Sequence, residues 1–301
     1  MDKDGRTPLS WAVVNGHGGA VKELLEREDV MPDTADKDGR TPLLWAAGNG
    51  HEKIVKMLLG RGDVIPNTAD EDGQTPLLWG AGNGRAGVVK KLLERGDVTP
   101  NTAAREGQTP LLWAAGNGHR DIVKMLLERE DITPNVVDKH GRTPLLWAAG
   151  NGHAEIVKML LERGDVIPRI ADNDGRTPFF WAARNRHRDI VKMLLEKEDV
   201  APGTVDASCP TPLSSAAGRG PISIEETLSQ QCSGSQNIAM TDPTGQTAPT
   251  PTPENHKGVV KRGLEDHGSA PPSMGRDNPA DPLPADPSQP SQHPSKRVRR
   301  S

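Results

Sequence analysis

The chain has 301 residues, a formal net charge of −4, 3% aromatic residues with no Tyr, and two cysteines. That charge argues against a general nucleic-acid binder, whose affinity comes from cations meeting phosphates, and no apolar run approaches the about 18 residues that a membrane span needs. Cys209 and Cys232 cannot build a disulfide framework, and Met1-Asp2-Lys3-Asp4 leads into no apolar stretch, so an intracellular chain in a reducing compartment, nucleus or cytoplasm, is expected.

Thr-Pro-(Leu/Phe) recurs at Thr7, Thr41, Thr75, Thr109, Thr143, Thr177 and Thr211, a constant spacing of 34 residues. Such a period marks a solenoid of supersecondary units that bury their apolar faces only against one another. The units divide as 2–35, 36–69, 70–103, 104–137, 138–171 and 172–205, with a degenerate seventh at 206–231. Within the second unit, Thr41 is a natural N-cap and Pro42 a natural first helical residue. Leu43, Ala46 and Ala47 share one helical face, and Gly50 ends the helix. A second helix begins near Glu52, whose charge suits a helix N-terminus, and carries Ile54, Val55, Leu58 and Leu59 as a stripe. Gly62 is the expected left-handed stop. Asp63 to Asn67 form the connector, where Pro66 withdraws a backbone donor, and Asp70-Glu71-Asp72-Gly73 is a turn that projects a hairpin tip.

The two ends depart from this plan. Unit one has Gly18-Gly19 in its second helix, Glu23 where Met57, Met125, Met159 and Met193 stand later, and no polar capping unit before it. Either this end is adapted to water or the chain is a piece of something longer. In unit seven Cys209-Pro210 replaces Gly-Arg, Ser215 replaces Trp, and Pro221 to Ser229 is more polar than the other second helices, as a C-terminal cap should be. Residues 232–301 hold 12 of the chain's 27 prolines and no aromatic residue, a composition that cannot offset its ordering entropy, so a disordered tail is expected.

D-x-D-G-R-T-P-L at Asp36 to Leu43, A-A-x-x-G-H at Ala46 to His51 and I-V-K-x-L-L at Ile54 to Leu59 resemble the ankyrin repeat, over residues 2 to about 230. Tetratricopeptide repeats share the period but need aromatic positions that this chain lacks. W-A-A-x-N-G-H and D-V-x-P-N are further similar to the long ankyrin arrays of filamentous fungi, often attached behind an NTPase module that this sequence does not contain. The resemblance implies an all-α solenoid with short β-hairpin loops and a protein-binding role. The His that follows T-P-L in the family is replaced by Ser10, Leu44, Leu78, Leu112, Leu146, Phe180 and Ser214, and a Trp follows in six units. Loss of that His removes a side-chain tether between units and leaves apolar contact to supply the cohesion.

The remaining columns read mostly as structure. His17, His51, His119, His153 and His187 align, but helices about 8–10 Å apart do not bring two ligands within about 2.1 Å of one zinc ion. The Gly-Asn-Gly turns lack the Lys-Ser/Thr of a phosphate loop. R-G-D at Arg61, Arg95 and Arg163 alternates with R-E-D and K-E-D, which marks a helix end and not an adhesion motif. Lys22, Lys56, Lys90, Lys124, Lys158 and Lys192 run along the outer helices, five of them with Glu four residues on, giving a solvated, paired face. The column from Trp11 to Trp181 reads as packing. No nucleophile, base and orienting acid recur, so neither an enzyme nor a cofactor is expected.

The hairpin tips vary while the inner turns repeat. They read Lys37, Asp38, Arg40, then Glu71, Asp72, Gln74, then Arg105, Glu106, Gln108, then Lys139, His140, Arg142, then Asn173, Asp174, Arg176. Exposed charge that changes sign from unit to unit steers partner choice, so the expected function is a monomeric scaffold engaging a partner protein along a concave face of tips and inner helices, with Lys139 and Arg142 exposed. One alternative is a fragment, or the ligand-sensing arm, of a larger NTPase-linked signalling protein. Another is a nuclear regulator using the basic cluster Lys296, Arg297, Arg299 and Arg300, which reads equally as an import signal or a solvated terminus.

Removing residues 233–301 should leave the melting temperature of the array within about a degree, because a disordered segment contributes no packing; a drop of several degrees by calorimetry would show that the tail docks.

Overall fold

A computed structural model describes residues 1–197. The degenerate unit at 206–231, the tail, and Lys296, Arg297, Arg299 and Arg300 lie outside the described residues. Among the described residues twelve α-helices form six antiparallel pairs: α1 (Pro8–Val14) with α2 (Gly18–Leu25), α3 (Pro42–Asn49) with α4 (Glu52–Leu59), α5 (Pro76–Gly82) with α6 (Ala86–Leu93), α7 (Pro110–Gly116) with α8 (Arg120–Leu127), α9 (Pro144–Asn151) with α10 (Ala154–Glu162), and α11 (Pro178–Arg184) with α12 (Arg188–Leu195). The odd-numbered helices stack in one row and the even-numbered helices in a second row behind it.

Local chemistry starts each inner helix. Thr41, Thr75, Thr109 and Thr143 sit in extended backbone and accept from the amide three residues on at 3.1–3.3 Å, with Pro at the first helical position. The helix therefore begins with one orphan N–H satisfied and another absent. Inner helices are enclosed almost all round: every residue from Pro42 to Gly48 is buried, since neighbours cover both flanks and the outer helix covers the back. Outer helices are amphipathic. In α4 only Ile54, Val55 and Leu58 are buried, and their counterparts repeat in α6, α8, α10 and α12. Those side chains join the inner-row leucines and alanines in one core that runs the length of the array.

Small residues set how closely inner helices approach. A Cβ on Gly48 would collide with the ring of Trp79, and one on Gly82 with the ring of Trp113. The indoles therefore lie against bare backbone of the preceding helix.

Three expectations require correction. Among the described residues no strand occurs: each tip closes on itself with two backbone bonds, such as Asp36 N–H to Arg40 C=O and Gly39 N–H to Asp36 C=O, both at 3.0 Å, a turn too short to make a β-ladder. Gly62 is not a left-handed stop. The outer helix ends at Leu59 with Gly60 in right-handed backbone, and Gly62 is not among the positive-φ residues, because Arg61 N–H turns back to Leu58 C=O and closes the last turn without one. Gly18 and Gly19 open α2 instead of interrupting it, so they cost less than interior glycines.

Gly82→Ala should destabilise the array by about 1–3 kcal/mol through overpacking, whereas Gly19→Ala, with nothing within 4 Å of the added carbon, should be neutral or stabilising by up to about 1 kcal/mol. Urea melts of the two variants check this; equal effects would show that the Trp113 ring yields. Trp11 is 44% exposed while Trp113 is 5% exposed, so amide exchange should open Leu9 to Leu25 before Leu111 to Leu127.

Candidate partner-binding surface

In every described unit but the fourth, which has Ala104, one aspartate organises the tip. Asp36 Oδ1 accepts from the Asp38 and Arg40 amides at 3.1 and 2.9 Å, and Asp70, Asp138 and Asp172 do the same in their units. Each tip then bonds its neighbour through the backbone: Glu71 N–H to Asp38 C=O, Arg105 N–H to Asp72 C=O, Lys139 N–H to Glu106 C=O and Asn173 N–H to His140 C=O, all at 2.9–3.0 Å. The glycine of the turn, such as Gly73 at φ 77°, is needed because the next tip's backbone lies against it.

Three positions per tip were expected to face a partner, and they divide into two kinds. Lys37, Glu71, Arg105, Lys139 and Asn173 are exposed, as are Asp38, Asp72, Glu106, His140 and Asp174. The third position, Arg40, Gln74, Gln108, Arg142 and Arg176, turns inward. Arg142 is a correction to the expected exposure: it is 8% exposed, donates from Nε to Asp138 Oδ2 at 2.9 Å, and lies 4.1 Å from the Trp147 ring centroid. An indole face beneath a guanidinium is a favourable site for it, so the chain buries this side chain. Arg40 and Arg176 lie over Trp45 and Trp181 in the same way while pairing with Asp38 and Asp174. Lys139 is exposed and bridges to Glu106 of the preceding tip.

The cohesion between units was expected from apolar contact alone, and that too is corrected. The inner-helix carbonyls of Val14, Gly48, Gly82, Gly116 and Gly150 accept side-chain hydrogen bonds from the following unit. The asparagines Asn49, Asn83, Asn117, Asn151 and Asn185 reach them at 2.6–3.4 Å. His51, His119, His153 and His187 reach them through Nε2 at 2.9–3.3 Å, and Arg85 takes the histidine's place in unit three at 3.0 Å. Arg61, Arg95, Arg129 and Arg163 bond the outer-helix carbonyls of Leu25, Leu59, Leu93 and Leu127. Asn67, Asn101 and Asn135 stitch the connectors, each donating to a carbonyl 30 residues on and accepting an amide 32 residues on. Sequence reading missed these residues as tethers, although their signal was present as polar columns that hardly change.

The other columns fall into place around this frame. The histidines hold carbonyls, and among the described residues no group of three or more His, Cys, Asp or Glu stands ready for a metal. Of the lysine ladder, Lys22–Glu26 and Lys124–Glu128 approach to 3.9 Å, while Glu94 pairs with Lys91. Among the described residues no helix is long and apolar enough to cross a membrane.

Burial, with His119 and His187 nearby, holds His153 below its ordinary value of 6.5. The folded state therefore binds this proton less well than the unfolded chain. The stability it contributes is present above the unfolded value and is lost as pH falls through the folded one. His153→Arg, which copies Arg85, should keep the pH 7.5 melting temperature and reduce its decline between pH 7 and pH 5; an unchanged decline would place the acid sensitivity elsewhere.

A family model of ankyrin repeats (3 copies) matches residues 1–68, 63–138 and 130–206. No curated protein sequence matches the chain. Among solved structures, the ankyrin repeat domain of Bcl-3, a unique member of the IkappaB protein family, is 26% identical over 71% of this chain and 95% of that one, with a TM-score of 0.62. EF0377, an ankyrin repeat protein, is 30% identical over 66% of this chain and 100% of that one, with a TM-score of 0.60. Capped inner helices, tip-to-tip backbone bonds and matches spanning more than half of the sequence agree: the chain belongs to the ankyrin repeat family, whose members generally serve as protein–protein interaction modules.

Proposed function

We propose that the protein is a binding scaffold that engages a partner protein along the exposed row of tips. The observation that carries this reading is the row itself: Lys37, Glu71, Arg105, Lys139 and Asn173 stand at equivalent exposed positions with a charge that changes from one unit to the next. Backbone bonds fix the spacing of these tips, so a partner meets an ordered pattern of charge at little cost in loop ordering. The outer helices repeat Lys at one column and Glu four residues on, a face that distinguishes units poorly. No catalytic constellation recurs, and the scaffold acts by binding and not by turnover. The tail cluster Lys296 to Arg300 fits a nuclear import signal; a fluorescent fusion should leave the nucleus when its four cations become Ala.

With a partner in hand, Lys37→Glu with Arg105→Glu should slow association by about tenfold, since charges at a rim act on encounter rate. Both residues are exposed, and the described residues give neither side chain an ion pair, so the fold should stand. Lys124→Glu with Lys158→Glu on the outer helices is the control. Surface plasmon resonance that shows loss only in the control would place the binding face on the outer helices. Arg142 is excluded from such a test because its replacement would empty a buried ion pair.

A further inference from the structure

The array repeats one arrangement of guanidinium, indole and carboxylate along the inward side of its tips. Arg6 lies 5.6 and 5.3 Å from the Trp11 and Trp45 ring centroids, and Arg40 lies 5.2 and 5.5 Å from those of Trp45 and Trp79. Beneath them Asp2, Asp36, Asp138 and Asp172 each accept from the indole N–H of Trp11, Trp45, Trp147 and Trp181 at 2.7–3.0 Å. In unit five a single oxygen, Asp138 Oδ2, takes both Trp147 Nε1–H and Arg142 Nε–H.

The middle of the array breaks the pattern. Gln74 and Gln108 stand where the arginines should be, and Ala104 stands where unit four's aspartate should be. Trp79 and Trp113 are 3% and 5% exposed, and their Nε1–H groups have no partner among the described residues. A buried donor left without an acceptor keeps the full cost of its desolvation. At this place there is a cleft of about 670 Å³ lined by Asp70, Gln74, Trp79, Gln108 and Trp113. Asp70 keeps its backbone bonds but has neither the indole that Asp36, Asp138 and Asp172 hold nor the guanidinium that Asp138 holds, and burial raises its carboxyl above the usual range.

Charge at the rim is mixed. Asp72 and Glu106 line the cleft together with Arg40, Arg105 and Lys139. Arg40 is tied to Asp38 and Lys139 to Glu106, and Arg105 is exposed at the tip. The buried carboxylate that lines the cleft beside the two indoles is therefore that of Asp70, on which Arg40 acts only through space.

We propose that this cleft takes an arginine side chain presented by a partner protein, its guanidinium seated between Trp79 and Trp113 in the place Gln74 leaves open and paired with Asp70. Units one and two show a guanidinium between two indoles, and unit five shows one paired with the layer's carboxylate, with the chain's own arginines as ligand. A planar cation suits the slot better than an ammonium, because its flat faces stack on indoles while its edge bonds a carboxylate in fixed geometry, and it is the more weakly hydrated of the two. As at Asp138, one carboxylate oxygen would then serve guanidinium and indole together and satisfy Trp79 Nε1–H. The inference rests on the partner-binding reading and gives that surface one specific contact.

The test titrates N-acetyl-arginine amide into the full chain while the six indole N–H resonances are followed by NMR. The Trp79 signal, assigned with Trp79→Phe, should move downfield and saturate with a dissociation constant in the millimolar range, as expected for about one desolvated cation–π contact and one ion pair. Gln74→Arg fills the slot from within and Asp70→Asn removes the anion while keeping its amide acceptor, so each should weaken binding about tenfold, equivalent to one 1.4 kcal/mol step. N-acetyl-lysine amide should bind less tightly than the arginine compound. Free arginine should bind no better than the blocked form if the natural ligand is a side chain. A Trp79 signal that stays still, a Gln74→Arg protein that binds as well as the parent, or lysine that equals arginine overturns the assignment. Tighter binding of free arginine overturns its partner source. The tip charge reversals use other residues and another readout, so failure here leaves the scaffold reading standing.

Discussion

Helices α1 to α9 end with carbonyls that no residue of their own turn satisfies, and the next unit supplies the donors. Asn and His, or Arg85, close the inner row, and Arg61, Arg95, Arg129 and Arg163 close the outer row. The rest of the structure depends on this exchange. The helices span only seven to nine residues, too short to be stable alone, and no unit encloses a core by itself. Apolar burial draws units together without direction. The side-chain bonds at separations of 35 to 37 residues set the register in which they stack.

That register explains the distribution of glycine. Gly16, Gly84, Gly118 and Gly152 have positive φ, and an added carbon on each would press on the ring of the histidine in the next unit. Two demands, a left-handed backbone and a close ring, meet at one residue, and only glycine meets both without strain. Unit six is the informative exception. Arg186 occupies the position at φ 65°, and the residue aligned with the next histidine is Pro221.

Much of this was legible beforehand. The period fixed the units, Thr-Pro fixed the start of every inner helix, and alternation of apolar stripes with Gly-Asn-Gly fixed the pairs. Those signals are local and repeat six times, so each copy corroborates the others. What escaped was long-range by nature. Nothing in Asn49 or Arg61 alone says that its donor reaches a carbonyl in the preceding unit, and the T-P-L-H tether, once missing, gave no hint that its work had moved to other columns. Arg142 was misplaced because arginine in a turn reads as solvated, while its burial depends on an indole five residues later that offers it a face. Gln74 and Ala104 looked like ordinary drift for the same reason: a substitution within a layer has meaning only when the layer is known.

The two faces of a tip thus answer to different constraints. Outward positions make only exposed contacts, such as Asp38 with Arg40 and Lys139 with Glu106, and exposed pairs contribute little to stability, so these positions can change sign between units at small structural cost. Inward positions must either complete the indole layer or leave it open, and leaving it open strands buried donors. Random loss of arginine and aspartate would fall anywhere along the array, and an indole stranded at an end would have water within reach, since Trp11 there is 44% exposed. The losses instead fall together in units three and four, where neighbours on both sides hold Trp79 and Trp113 in place. An opening with rigid walls is costly to an unbound protein and useful to one that binds, because the walls need no ordering when the ligand arrives.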